Sequence, residues 1–288
     1  MIYDKSPLNY IGGKYKMLPK IIRFFPNQIN VMYDLFAGGC DVCTNIAANQ
    51  IYANDINFFV IDIYRAFQQR TLNELLNEID EIIARWNLSM TNEKGYIAFR
   101  NYYNSIPIEK RNPIELYVLV CYSFNYQFRF NNSKGFNNPF GRERSSFNPR
   151  MRENLSIFHK KLANIAFSSQ NFRDLDLGFL KKGDFLYADP PYRITTASYN
   201  DGKRGFEGWK LEDDLALFDL LDQLDRQGVH FALSNVIEHK GKINTELMRW
   251  KQKYHTHRIN YSYNNSSYQA KNTDQVTREV LITNYQGR

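Results

Sequence analysis

Val31-Met32-Tyr33-Asp34-Leu35-Phe36-Ala37-Gly38-Gly39 is a short apolar run that ends in two glycines. Such a run suits one buried strand, and the glycine pair suits a tight turn where backbone can approach a ligand closely. A helix is expected to follow the turn. Ile51 to Ala53 then reads as a second short strand ending at Asn54-Asp55, and Phe58 to Phe67 has helical spacing. Strand, turn, helix and strand in that order open a doubly wound α/β fold. The same grammar returns late in the chain. Asp184 to Ala188 (DFLYA) is a strand running into Asp189-Pro190-Pro191-Tyr192. Leu211, Leu215, Phe218, Leu221 and Leu224 mark a helix closed by Gly228, Val229 to Leu233 is the next strand, and Glu279 to Thr283 (EVLIT) the last.

Between these halves the pattern changes. Leu72, Leu75, Leu76, Ile79, Ile82 and Ile83 recur at helical spacing, and a further helix is expected over 113–123. The polar stretch 126–149, with Phe128 and Phe130 alternating, reads as a hairpin with its loop around Asn132–Gly135. Upstream of the first strand, KYKMLPKIIRFF from Lys14 reads as a helix with a proline within it. One α/β domain, 1–56 and 165–288, is therefore expected to be split by an insertion at 57–164.

Charge sharpens the division. The 288-residue chain carries a net +7. From Gln127 to Asn164 there are eight basic residues (Arg129, Lys134, Arg142, Arg144, Arg150, Arg152, Lys160 and Lys161) against Glu143 and Glu153, so this segment holds +6 of the excess. A basic patch of this kind favours a polyanion through counterion release. Lys160 and Lys161 read as an exposed helix face. The 20 Tyr and 21 Phe suit both core packing and stacking on bases. Cys40, Cys43 and Cys121 are the only cysteines. Cys40-Cys43 is a CxxC that lacks the second pair a zinc site needs, and it reads as small residues opening a helix; a redox motif is the alternative. No metal is expected, and His255 and His257 read as structural. The odd cysteine count and the lack of a secretory signal fit a reducing cytoplasm, and no apolar run approaches the roughly 20 residues of a membrane span.

The chemistry concentrates in three places. Asp189-Pro190-Pro191-Tyr192 follows a strand, and its prolines stiffen the turn. The Asp189 carboxylate and the Pro190 carbonyl can each accept one N–H of an exocyclic amine, which localises the nitrogen lone pair. The Tyr192 ring offers a surface on which a base can stack. At Gly38-Gly39 the backbone can meet a cofactor, and Asp55, roughly 20 residues on, suits a carboxylate that accepts from both hydroxyls of a ribose. The third place, Asn9-Tyr10-Ile11-Gly12-Gly13-Lys14, reads alone only as a turn before a helix.

In this order the motifs resemble the Dam-type DNA adenine N6-methyltransferases, most closely their bacteriophage members. NYIGGKYKMLP, YDLFAGG, ANDIN, DFLYADPPYRITTASYN, HFALSNVIEHKGK and EVLITNY are similar to that family's successive motifs, and FRFNNSKGFNNPFGR to its DNA-reading hairpin. The resemblance implies a Rossmann-like class I S-adenosylmethionine-dependent methyltransferase fold, with a seven-stranded mixed sheet and an inserted, mostly helical recognition domain. It implies site-specific transfer of a methyl group from S-adenosylmethionine to N6 of a flipped adenine in double-stranded DNA, leaving S-adenosylhomocysteine. It places Tyr10, Lys14, Phe36, Gly38, Gly39, Asp55, Phe172 and Asp189 around the cofactor, with Asn171 differing from many relatives. Phe124 would wedge into the duplex, Arg129 read a guanine and Pro139 lie against a thymine methyl. Asn125, Gln127, Asn131, Lys134 and Arg142 join them at the DNA. The implied site is GATC, although Gln127 stands where an apolar residue usually faces the thymine. A monomer is expected, with a cognate restriction endonuclease as a possible partner. Cytosine-N4 or RNA methylation, an inactive DNA-binding relative and a nucleotide-dependent oxidoreductase are the alternatives; product analysis and cofactor preference separate them.

Overall fold

The structure, a computed structural model, describes residues 3–195, 208–259 and 277–287. The loop expected after the Asp189 turn falls largely at 196–200, outside the described residues. The first helix is a single turn, α1 (Leu18–Ile21), flanked by 3-10 turns at Tyr15–Met17 and Ile22–Phe24. The continuous helix expected from Lys14 does not form. Pro19 has no N–H to give and its ring clashes with the carbonyl four residues back, so it can sit only at the helix start.

Strand β1 (Val31–Asp34) leads to the glycine turn, and β2 (Gln50–Asn54) lies parallel to it. The helix expected between them is reduced to a 3-10 turn at Cys43–Asn45. Asn45 explains this: its side-chain amide donates to the carbonyls of Asp4 and Asp41, so side-chain hydrogen bonds replace a helical ladder. Cys40 and Cys43 are free thiols buried inside this turn. Burial raises the pKa of both, which keeps them protonated and unreactive.

Between β2 and β3 (Ile165–Ser168) the chain is helical: α2 (Phe58–Gln68), α3 (Leu72–Arg85), α4 (Glu93–Ser105), α5 (Pro113–Tyr122) and α6 (Pro149–His159). Thr71 and Glu74 close a capping box on α3, which buries Leu75, Ile79 and Ile82 along one face. The sequence reading passed over α4, and of α6 it gave only a helix face carrying Lys160 and Lys161. In α4 the buried stripe is Tyr96, Phe99 and Tyr103, where polar neighbours and Gly95 mask the period. Because α6 ends at His159, Lys161 does not lie on a helix face. It ion-pairs with Asp4 and donates to the Thr44 carbonyl at 3.0 Å.

The remaining elements are β4 (Phe185–Ala188), α7 (Leu211–Arg226), β5 (His230–His239), β6 (Lys242–Ile243), α8 (Thr245–Trp250), β7 (His255–Ile259) and β8 (Thr277–Thr283). The sheet runs β3-β2-β1-β4-β5-β8-β7, with the two-residue β6 paired beside β5. Its first five strands are parallel, and β8 is antiparallel to both β5 and β7. This is the mixed sheet expected from the sequence. Strand β4 is buried on both faces: Phe185 and Tyr187 pack on Phe25 within one core cluster, and Leu186 and Ala188 belong to the other, which the α7 residues Leu217, Phe218 and Leu221 share. Hence DFLYA is almost wholly apolar instead of alternating.

Candidate active site

Strand order reverses between β1 and β4: the chain moves outward through β2 and β3 on one side and through β5 on the other. Loops leaving the carboxyl ends of such strands diverge and open a crevice, where α/β sheets bind their ligands. Here β1 delivers Leu35–Gly39, β2 delivers Asp55 and β4 delivers Asp189–Tyr192.

Asp189 sits in a buried charge cluster. Its Oδ2 accepts from the Lys14 ammonium at 2.9 Å, and its Oδ1 from the Tyr192 hydroxyl at 2.8 Å. Glu279, on β8, joins the same two partners: its Oε1 lies 2.9 Å from the Tyr192 hydroxyl and 3.6 Å from Lys14 Nζ. Lys14 also donates to the Tyr192 oxygen at 2.9 Å. Lys14 is 7% exposed and Glu279 4%. Burial lowers the pKa of Lys14, but Asp189 and Glu279 outweigh it and carry the ammonium above its ordinary value. Burial lifts Asp189 above the usual carboxylate range, opposed by Lys14 and Tyr192. Pro190 is buried and Pro191 exposed, so the turn is anchored on one side and open on the other.

A second group surrounds the glycine turn. Asp55 accepts from the Gly38 N–H at 2.9 Å and the Asn57 N–H at 2.8 Å, one on each oxygen. Gly38 has φ +45°, and a Cβ there would meet the Tyr10 ring at 2.9 Å. Tyr10 thus lies against bare backbone, and its Cβ also sits near Gly39. Phe36 packs on Phe172 at 5.6 Å and on Trp209 at 5.5 Å, forming an aromatic wall. Asn171 caps the turn that carries Phe172 by accepting from the Arg173 N–H. Trp209 is held by Asp214, which also takes the Arg193 guanidinium at 2.8 Å. Arg193 further bonds Glu246 and so ties the Asp189 turn to α7 and α8. Two buried oxygens at the crevice, Asp34 Oδ1 and Asn57 Oδ1, have no hydrogen-bond partner among the described residues. Open acceptors, bare glycine backbone and an aromatic wall fit an adenosyl and amino-acid ligand such as S-adenosylmethionine.

The structure therefore groups Lys14 with Asp189 and Tyr192, Tyr10 with Gly38, Gly39 and Asp55, and Phe36 with Phe172. Glu279, Trp209, Arg193 and Asn57 escaped sequence reading. Glu279 had one signal: a carboxylate heading the apolar run Val280–Ile282.

The hairpin residues form a separate surface. In place of continuous strands, two isolated bridges, Phe130 to Phe136 and Ser123 to Phe140, define it. Phe128 and Phe130 are buried, so Arg129 between them faces solvent. Asn131 turns its Oδ1 onto the Gly135 N–H at 2.8 Å, which closes the loop. Lys134 stands over the Phe58 ring at 5.2 Å, and Arg142 ion-pairs with Glu93. Phe124 is 40% exposed, with the Arg144 guanidinium 5.1 Å from its ring. Its N–H donates to the carbonyl of Pro139, itself exposed, and Gln127 is half-buried. The N-terminal motif bridges both regions: Asn9 donates to the Asn125 carbonyl at 3.0 Å, and Tyr10 packs on Phe128.

Asp34 gives a pH test. Burial, with the charge of Asp189 adding, pushes its carboxyl up to about 8. An acid whose folded pKa is raised favours the native state fully below its unfolded value, and that contribution is lost as pH rises through about 8. Thermal unfolding between pH 5 and 9 should therefore show the unaltered chain losing about 5 °C more than an Asp34→Asn variant. Equal slopes would show that Asp34 stays ionised throughout.

A family profile described as D12 class N6 adenine-specific DNA methyltransferase matches residues 10–277. The chain is 47% identical over 285 residues to the type II methyltransferase M.FokI of Planomicrobium okeanokoites, covering 98% of this chain and 43% of that protein. It is 25% identical to the DNA adenine methylase of Escherichia coli K12, covering 81% of each. It is 24% identical to the DNA N-6-adenine-methyltransferase of Escherichia phage P1, covering 81% of this chain and 30% of that protein. The chain thus spans less than half the length of M.FokI.

Proposed function

We propose, for a chain that belongs to the D12 class of N6 adenine-specific DNA methyltransferases, transfer of a methyl group from S-adenosylmethionine to N6 of an adenine in double-stranded DNA. The observation that carries this reading is the Asp189 carboxylate at the crevice, with one oxygen on Lys14 and the other on Tyr192. Each carboxylate oxygen has two lone pairs, so acceptor capacity remains for an amine. Asp189 takes an N–H of the target amine, and the Pro190 carbonyl is assigned the other. Tyr192 supplies the stacking face. The sulfonium of the cofactor supplies the electrophilic methyl. Asp55, Tyr10, Gly38, Gly39, Phe36 and Phe172 are assigned to hold the cofactor, so proximity and orientation supply much of the rate.

Residues 57–164 are assigned to target recognition, with α2 also packing on the sheet, and 1–56 with 165–288 to catalysis. The adenine must leave the helix to reach Asp189, because N6 is engaged in base pairing. Phe124 is assigned as the wedge, and Arg129 as the reader of the guanine before the adenine. Asn125, Gln127, Asn131 and Pro139 are assigned to the same groove, and Lys134 and Arg142 to phosphates. The proposed site is GATC. The 47% relative carries a type II methyltransferase name, which supports a cognate endonuclease. Methylome sequencing of plasmid DNA from expressing cells, with mass spectrometry of the product base, tests all of this together. N6-methyladenine after guanine is the expected result. N4-methylcytosine, or no modified base, would overturn the reading.

A further inference from the structure

The proposed chemistry needs two parts of the crevice to keep a fixed separation. One is the aromatic wall of Phe36, Phe172 and Trp209, beside the cofactor. The other is the turn Asp189–Tyr192, which receives the amine. They stand on different elements, and Asp214 is bonded to both. It lies in the first turn of α7 and is fully buried, 0% exposed. Its Oδ1 accepts from the Trp209 indole N–H at 2.8 Å, and its Oδ2 from the Arg193 Nε–H at 2.8 Å. Trp209 in turn meets Phe36 and Phe172, each at 5.5 Å between ring centres. Arg193 directly follows Tyr192, and its Nη2 donates to Asn244 Oδ1 at 3.1 Å and Glu246 Oε2 at 2.8 Å. An indole N–H and a guanidinium withdrawn from water each need an acceptor. A carboxylate is short and planar, so one group that serves both donors ties the place of one to the place of the other.

We propose that Asp214 is a positioning residue: by bonding Trp209 through one oxygen and Arg193 through the other, it fixes the cofactor wall relative to the acceptor turn. This rests on the methyltransferase reading given above. In that reaction the N6–methyl bond forms as the sulfonium S–methyl bond breaks, with its electron pair staying on sulfur. The positive charge passes to N6, which gives one proton to Asp189. Such a transfer depends on placement, and an error of about 1 Å costs on the order of 100-fold in rate. Asp214 acts on it through Trp209 and Arg193. Asparagine at this position would keep the shape and lose the function. An amide has one oxygen and one NH2, so whichever way it turns, a donor faces either the Trp209 N–H or the Arg193 N–H, and one arm of the link opens.

The test sets rate against affinity. Asp214→Asn should lower single-turnover methyl transfer about 10-fold at saturating cofactor and DNA. Its affinities for S-adenosylhomocysteine, by calorimetry, and for a DNA duplex, by anisotropy, should each stay within about 3-fold. A merely structural role would loosen the ligand sites together with the chemistry and would not separate the two. Trp209→Phe keeps a ring on the wall and removes the N–H. It opens the same link from the other end and should show the same split. The double variant should match Asp214→Asn within about 2-fold, because a link already open cannot be opened again. An unaltered rate in Asp214→Asn, affinities that fall as far as the rate, or a double variant whose two losses multiply overturns the proposal. If Asp214→Asn does not fold, Trp209→Phe decides alone. A rate loss of about 10-fold with both affinities held within about 3-fold supports the proposal, and an unaltered rate or an equal loss of affinity overturns it. Failure of the unaltered chain to methylate DNA would instead overturn the methyltransferase reading itself.

Discussion

Asp189→Ala is expected to lower single-turnover methyl transfer on the order of 100-fold or more while leaving DNA binding largely intact. The reason lies in what remains. Removing the carboxylate deletes the acceptor proposed for the reacting amine and nothing at the hairpin surface, where Arg129, Lys134 and Arg142 lie. The fold is expected to survive, because Lys14 keeps Glu279 at 3.6 Å as a counter-charge and the Tyr192 hydroxyl keeps it as an acceptor. Transfer of a labelled methyl group gives the rate, and fluorescence anisotropy with a duplex gives the binding. Near-normal turnover would remove Asp189 from the chemistry. Lost turnover with equally lost DNA binding would point to a collapsed site instead.

Arg129→Ala is expected to relax selection at the base before the adenine by about 10- to 100-fold, the worth of one arginine fork on the two acceptors of guanine. Burial of Phe128 and Phe130 turns Arg129 outward, and among the described residues it has no ion pair to break before binding. Measured as relative rates on duplexes that differ only at that base, selectivity should fall while the rate on the best site falls less. Lys134→Ala serves as the contrast. It should weaken binding to every sequence and reduce the salt slope by about one. Equal loss on all duplexes for Arg129→Ala would make it a phosphate contact. Methylation at a motif without that guanine would remove its reading role altogether.

Most of the fold could be read from the chain because its strands are short, fully buried and punctuated. VMYD, DFLYA and EVLIT each stop at turn residues, and α3 shows its period plainly. Failures came where side chains replaced backbone regularity. Asn45 holds the turn between β1 and β2 by side-chain hydrogen bonds, so the expected helix shrinks to one 3-10 turn. Pro19 cuts the first helix to one turn. Strand β7 (HTHRI) was missed because its outer residues are exposed at the sheet edge, where polar side chains are tolerated. At the site, motifs contiguous in sequence were legible, and partners brought in by the sheet were not. Nothing near Glu279 in the chain announces Lys14 or Tyr192. Trp209 meets Phe36 only because α7 begins beside the crevice.

The position of β8 has a consequence for the order of events during synthesis. It follows β7 in the chain, yet among the described strands it lies between β5 and β7. Until it leaves the ribosome, β5 and β7 each lack the strand that lies between them among the described residues. Such late, long-range pairing is slow and leaves an exposed strand edge open to association with other chains. The strand that closes this gap also brings Glu279 to Asp189. Nascent chains that stop short of it should already hold the basic helical insertion and lack the Glu279 carboxylate beside Lys14 and Tyr192.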